Sequence, residues 1–387
     1  MQNWLLPEYI QDMLPVEAWR VEKMRADVLE LLRKSGYQLV APPLLEYEES
    51  LLIADSADMD LRTFKLVDQL SGRTLALRAD ITPQVARIDA HLLNRQGVAR
   101  LCYAGSVLHT IPAGLNRTRE LLQIGAELYG HGGIESDLEI QQLMLQALAL
   151  IGVEHVHLDL GHVGVFRALV QHAQLSKALE NELFAALQSK DGTRLQALTE
   201  NLDCVLRDAL RVLPTLYGRC DEVLARARKS LPDYPEVCAA LSDLQTVSEK
   251  LQGAVASVGI DLADLRGYHY HSGMVFAAYH AGSHDAIALG GRYDDLGKSF
   301  GRARAATGFS MDLRLLYRLL PACAAQPGIR APYLDDAALA CEIATLRAAG
   351  EVVVVSLPGS ADYPGELQCN RELVLHGSRW QVVTMVN

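Results

Sequence analysis

The chain has 387 residues, 50% hydrophobic and 21% charged, with a formal net charge of −11. Such a length predicts two or three domains, and the acidic total argues against a broad surface for tRNA or another polyphosphate. Seven scattered cysteines without a C-x-x-C pair exclude a disulfide framework or zinc ribbon; with no signal-like N-terminus and no membrane-length apolar run, a cytoplasmic protein without membrane contact is expected.

Residues 15–35 read as one amphipathic helix: Val16, Trp19, Met24, Val28, Leu31 and Leu32 fall near helical spacing, with Pro15 in the first turn and Gly36 at the stop. Residues 37–49 read as a strand interrupted by Pro42 and Pro43, which confines it to an edge or an interface. Residues 64–67 and 74–78 form a predicted hairpin around Ser71-Gly72. A helix over 82–93 precedes strands at 99–106 and 121–128, separated by a polar loop at 113–116. Ser136 and Asp137 are candidate caps of a helix running to Leu150, and residues 156–160 form a short strand.

From Val165 to about Gln252 the text is rich in Leu, Ala, Glu and Lys, and Pro214 and Pro232 mark breaks, as in a helical insertion. Strands return at 274–279 and 286–289, followed by Gly290-Gly291-Arg292-Tyr293-Asp294 and a helix over 311–319. The Pro/Gly-rich residues 324–332 read as a linker, and the tail offers a helix at 335–348 with strands at 351–356 and 380–385. The pattern is α+β: an antiparallel sheet flanked by helices, not a doubly wound sheet. The predicted organisation is a core of residues 1–164 and 254–323, a helical insertion at 165–253, and a small C-terminal α/β extension at 332–387. No G-x-G-x-x-G or P-loop motif follows a strand, so neither dinucleotide nor P-loop chemistry is indicated.

Three histidine pairs invite a metal reading: His155 and His157 with Asp159, His269 with His271, and His280 with His284. No motif joins them into one site, so no metal and no cofactor are expected.

The stretch 107–130, VLHTIPAGLNRTRELLQIGAELYG, resembles motif 2 of class II aminoacyl-tRNA synthetases, closest to the histidyl enzymes. In that family an arginine here grips the α-phosphate of ATP; this chain has His109. Residues 307–320, TGFSMDLRLLYRLL, resemble motif 3, and Leu315 stands where the family's second phosphate-binding arginine belongs. Leucine offers no donor, and a neutral imidazole offers one donor in place of a charged fork. Arg117 and Arg119 lie on the motif 2 loop, in reach of a phosphate or of solvent. Pro43 falls at the motif 1 proline, which implies a homodimer.

The run Leu77-Arg78-Ala79-Asp80-Ile81-Thr82 resembles the L-R-P-E-G-T segment whose acid and threonine hold the amino group of histidine. Gln123 and Glu127 match residues facing the amino acid, and four-residue spacing puts both on one strand face. Residues 265–276 resemble the histidine-specific R-G-L-D-Y-Y-T-G-x-V-F signature, with Arg266 and Tyr270 retained and His271 in place of the second tyrosine. The expected effector pocket is therefore Asp80, Thr82, Gln123, Glu127, Arg266, Tyr270 and His271. Taken singly, Arg78 with Asp80 reads equally as a surface ion pair, and Gln123 and Glu127 as polar sheet positions. The G-G-R-Y-D run reads either as a close approach of backbone to ligand or as a plain turn.

With both clamp arginines absent and too little chain for an anticodon-binding domain, the sequence resembles the regulatory subunits of ATP phosphoribosyltransferase. That resemblance implies a protein with no catalytic residues of its own. It would join a short-form catalytic subunit in a hetero-oligomer, serve the first step of histidine biosynthesis and relay allosteric feedback by histidine without binding tRNA. The alternatives are an active histidyl-tRNA synthetase-like ligase and a synthetase-derived sensor or scaffold for another enzyme.

Overall fold

The structure is a computed structural model that describes residues 4–51, 57–112, 114, 118–268, 270–322, 327–359 and 368–385. It divides into two units, one of residues up to Asp12 with Val21–Leu320, the other of Met13–Arg20 with Pro321–Asn387.

The strands of the first unit are, in chain order, β1 (Gln38–Leu39), β2 (Leu45–Tyr47), β3 (Phe64–Val67), β4 (Thr74–Leu77), β5 (Ala99–Leu108) and β6 (Glu120–Tyr129). There follow β7 (His157–His162), β8 (Tyr217–Arg219), β9 (Ser257–Asp261), β10 (Met274–Tyr279), β11 (Ala288–Arg292) and β12 (Ala306–Asp312). Nine of them form one sheet in the order β1-β5-β6-β12-β11-β10-β7-β9-β8, and β2-β4-β3 form a second. The central strands β5 to β7 in that order are all antiparallel, with parallel pairs only at β1–β5 and β7–β9. An α+β class with an antiparallel core is thus what forms.

The prolines act as expected and more. Instead of one interrupted strand, 37–49 gives β1 and β2 on the edges of two different sheets, because Pro42 and Pro43 lack the N–H a ladder needs. The predicted hairpin is β3–β4. Helix Pro15–Lys34 buries Val21, Met24, Val28 and Leu32, whereas Trp19 is 79% exposed. The helix from Thr82 changes to π-helical turns at Ile88–Leu93 and stops at left-handed Asn94.

Period two divides β6 between two faces: Ile124, Ala126 and Leu128 point one way, and Gln123, Gly125 and Glu127 the other. Helix Ile134–Leu150 packs on β6, β11 and β12, burying Ile140, Met144 and Leu148. Ser136 and Asp137 do not cap it. They lie in its first turn, where Arg292 takes Asp137 Oδ2 at 2.8 Å and Ser136 Oγ at 2.9 Å. The stretch after β7 is helical as read, except for the three residues of β8. Gly290 and Gly291 belong to β11 itself, and the helix predicted at 311–319 begins at Leu313, after Asp312 caps it.

The second unit carries β13 (Gly328–Ala331), β14 (Val353–Val355), β15 (Cys369–His376) and β16 (Arg379–Thr384) in the order β14-β13-β15-β16. Residues 324–326, the start of the expected linker, lie outside the described residues; its latter part is β13, whose Ile329 and Ala331 are fully buried. Helix Ala337–Ala348 is capped by Asp336, which accepts the amides of Ala338 and Leu339. Leu339 and Ile343 pack with Ile329, Val353 and Leu373 into this unit's core.

Candidate functional site

Strand β6 holds Gln123 and Glu127 on one face, and the segment after β4 brings Asp80 to them. Asp80 Oδ1 accepts the Thr82 amide at 3.1 Å and Gln123 Nε2 at 2.8 Å, while Gln123 Oε1 accepts the Ile81 amide at 3.0 Å. Those bonds fix the Gln123 amide and leave Asp80 Oδ2 without a hydrogen bond among the described residues. The surface ion pair between Arg78 and Asp80 does not form. Arg78 is buried and gives its protons to the carbonyls of Ser106 and Pro42.

Glu127 is 1% exposed, and its carboxyl accepts the phenols of Tyr103, at 3.1 Å, and Tyr293. Tyr103 also lies 3.1 Å from Thr82 Oγ1, and Tyr293 lies 3.5 Å from the Tyr129 hydroxyl. A hydroxyl chain therefore runs Thr82, Tyr103, Glu127, Tyr293, Tyr129. The Tyr270 ring stands 5.2 Å from that of Tyr293, and its buried phenol oxygen has no hydrogen-bond partner among the described residues.

Burial, opposed by the Tyr293 hydrogen bond and reinforced by the Asp80 charge, pushes Glu127 up to about 8. Burial and then the nearby carboxylates push Tyr103, Tyr129, Tyr270 and Tyr293 well above the ordinary phenol range, so all four keep their protons. The result is a cluster of two carboxyl groups and four phenols. Among the described residues no Lys, Arg or His is bonded to either carboxyl.

His271 adjoins this group, edge-on to Tyr270 at 5.1 Å, with Nδ1 3.2 Å from the Arg292 carbonyl. Burial lowers it to about 4, so the ring is neutral, and a carbonyl partner requires the proton on Nδ1. A Cβ at Gly291 would sit 2.9 Å from this ring, so the glycine admits His271, while Gly290 admits Phe276 and the Gly308 carbonyl. The G-G-R-Y-D run is not a plain turn, since its first three residues belong to β11.

Arg266 is not drawn into the group. It forks onto Asp264, with Nε 2.8 and 3.0 Å from the two oxygens, and stands 5.9 Å over the Tyr279 ring. The structure thus brings together Asp80, Thr82, Gln123, Glu127 and Tyr270, sets His271 beside them and leaves Arg266 on its own acid. Sequence reading missed Tyr103, Tyr129 and Tyr293. The signal existed for two of them: Tyr129 is two residues from Glu127 on the same strand face, and Tyr293 is the tyrosine of G-G-R-Y-D.

At the first position where the resemblance expects a clamp arginine, the buried His109 gives Nε2–H to the Ala79 carbonyl at 2.9 Å. Its imidazole thus braces the Asp80 segment. Arg119 donates to the His109 carbonyl at 3.0 Å and lies over Phe64 at 4.8 Å; Arg117 lies outside the described residues. At the second, Leu315 is half-buried in helix Leu313–Leu319, and neighbouring Arg314 is paired with Glu120 at 3.1 Å.

Among the described residues no set of three or more His, Cys, Asp or Glu is placed to hold a metal. His157 bonds Asp159 at 2.8 Å and Ser257 at 2.5 Å, and His280 accepts the Gly282 amide; His269 lies outside the described residues. No described helix is long and apolar enough to cross a membrane.

Comparison with known proteins gives a consistent result over the whole chain. The profile of the histidyl-tRNA synthetase family matches residues 9–316, and that of the ATP phosphoribosyltransferase subunit HisZ C-terminal domain matches residues 326–383. The ATP phosphoribosyltransferase regulatory subunit of Ralstonia nicotianae is 59% identical over 99% of this chain and 98% of its own. That of Nitrosospira multiformis is 56% identical, over 99% and 98%. A crystal structure described as an ATP phosphoribosyltransferase regulatory subunit/histidyl-tRNA synthetase from Bacillus halodurans superposes with a TM-score of 0.81 at 30% identity, covering 93% of this chain and 94% of that one.

Proposed function

The chain belongs to the ATP phosphoribosyltransferase regulatory subunits, a family built on the histidyl-tRNA synthetase fold, and from that premise we propose how it works. It performs no adenylation. It assembles with a short-form catalytic subunit in the cytoplasm, enables phosphoribosyl transfer to ATP in the first step of histidine biosynthesis, and relays feedback by histidine. The core is formed by residues 1–164 and 254–323, with 165–253 as a helical insertion and 332–387 as a small C-terminal domain. A homodimer of this chain, bearing no tRNA, is the scaffold of the hetero-oligomer.

One observation supports the reading: Asp80, Thr82, Gln123 and Glu127 stand together, while His109 and Leu315 hold the two positions where the resemblance expects phosphate-binding arginines. Removing a single preorganised donor from a transition state typically lowers a rate by ~10²–10³. The acids and phenols, by contrast, suit a small ligand with an ammonium group. Histidine bound at Asp80, Thr82, Gln123, Glu127 and Tyr270, with Arg266 and His271 at the margin, favours one assembly state over another, a coupling typically worth ~1–3 kcal/mol. Calorimetry tests this: histidine gives saturable heat with the chain or its complex, and Asp80→Asn and Gln123→Ala abolish it. No heat in either preparation contradicts the pocket.

A further inference from the structure

Glu127 has an unusual set of neighbours for a carboxyl group at the centre of a protein. From β5 it meets the Tyr103 phenol, from the segment after β11 the Tyr293 phenol, and behind Tyr293 the Tyr129 phenol. Asp80 acts on it from the segment after β4, together with Thr82; Tyr270 is influenced by it from the segment before β10, and Tyr37 from the segment before β1. On β12 the facing residue is Gly308, which contributes no charge. Every titratable group in that set is an acid, and each is either a phenol or a second carboxyl.

We propose that Glu127 is a neutral carboxylic acid when the pocket is empty and becomes a carboxylate when an amino acid brings a positive charge between it and Asp80. The inference rests on the pocket reading above. Glu127 is fully buried, and with no cation between it and the Asp80 carboxyl its neutral acid form is favoured over a carboxylate. Asp80 Oδ1 accepts two N–H donors, whereas Glu127 meets only phenols, and this difference sets the proton on Glu127. Entry of a cation reverses the balance: the Glu127 O–H bond breaks, its proton leaves to solvent or to a basic nitrogen of the ligand, and the carboxylate formed faces the ligand's charge. Burial and the Asp80 charge already hold Glu127 up to about 8, in keeping with a proton retained at neutral pH. The hydroxyl chain through Tyr103 and Tyr293 keeps both oxygens hydrogen-bonded in either state, because a phenol can donate to a carboxylate or accept from an acid. The site then discriminates for a positive charge on the ligand, through a proton it must surrender.

Difference infrared spectroscopy on the full chain reads this directly. The empty protein near neutral pH shows a protonated-carboxyl band that Glu127→Gln removes; histidine removes the same band from the wild type, with binding followed by calorimetry on the same sample. Raising the pH through about 8 without ligand also removes it. Tyr293→Phe, which takes away a bond favouring the charged form, makes the band persist to higher pH and serves where Glu127→Gln does not fold. Absence of the band in the empty protein, or histidine heat with the band unchanged, overturns the proposal. Absence of histidine heat overturns the pocket reading instead, and the pH titration of the band then decides whether Glu127 holds its proton.

Discussion

Gly308 of β12 stands directly across from Glu127 of β6, and the Glu127 carboxyl fills the space that a Cβ at Gly308 would need. A side chain there must push the carboxyl out of its phenol ring or part the two strands. Gly308→Ala is therefore expected to cost about 1–3 kcal/mol, read as a lower urea midpoint, and to weaken histidine binding. A variant with unchanged midpoint and unchanged binding would show that Glu127 is not held where the structure puts it.

Arg292 is the polar keystone between β11 and helix Ile134–Leu150. It is 7% exposed, paired with Asp137 at 2.8 Å, and also donates to the carbonyls of His131 and Gly133. Replacing it with Met leaves Asp137 buried and unpaired, with a cost of about 3–5 kcal/mol. Adding Asp137→Leu recovers part of that loss, because the stranded charge goes too. Urea denaturation of the single and double variants checks both statements, and a double variant less stable than the single one contradicts them.

The same pair shows what the sequence could and could not convey. Asp137 sits where a cap belongs, and local spacing alone reads it as one; its true partner is 155 residues away. Prolines at 42 and 43 marked a break correctly, but only the assembled sheets show that two separate strands result. Gln123 and Glu127 were legible because period two is a local property. Tyr103 was not, since it joins the site through the register of β5 against β6, where it lies opposite Gly125. Arg266 matched a motif, yet Asp264 two residues earlier takes its fork. Strands β8, β9, β12, β13 and β15 were passed over, the first because three residues carry no periodic signal.

The pH dependence of stability has two opposed limbs. Burial holds His162 and His271 down to about 4 in the folded chain. Between pH 4 and 6.5 the unfolded chain therefore binds more protons at these two rings, and stability rises with pH. Glu127 works the other way: folded at about 8 and unfolded near 4.5, it makes the folded state hold the extra proton, so its contribution falls as pH rises across that window. Above pH 6.5 it acts without the histidines. One proton is worth about 1.4 kcal/mol per pH unit, so Glu127→Gln should flatten the decline between pH 6.5 and 8. Parallel wild-type and variant curves from urea titrations would contradict this.

Nucleotide and histidine should part company in a thermal-shift experiment. Histidine at a hundredfold excess over its Kd stabilises by about 2.7 kcal/mol, whereas MgATP leaves Tm unchanged. His109→Arg does not restore a clamp: it breaks the Ala79 hydrogen bond and buries a charge, and is expected to cost about 1–3 kcal/mol. A Tm increase with MgATP in the wild type, or pyrophosphate exchange into ATP that depends on histidine, would revive the ligase reading.

The central claim is that this chain enables another enzyme and activates nothing itself. The rate of phosphoribosyl transfer by a short-form catalytic subunit, measured alone, with this chain, and with this chain plus histidine, tests it most directly. Activity that requires the chain and is suppressed by histidine is the expected result. A catalytic subunit equally active without the chain, and a chain that does not bind it, would contradict the account.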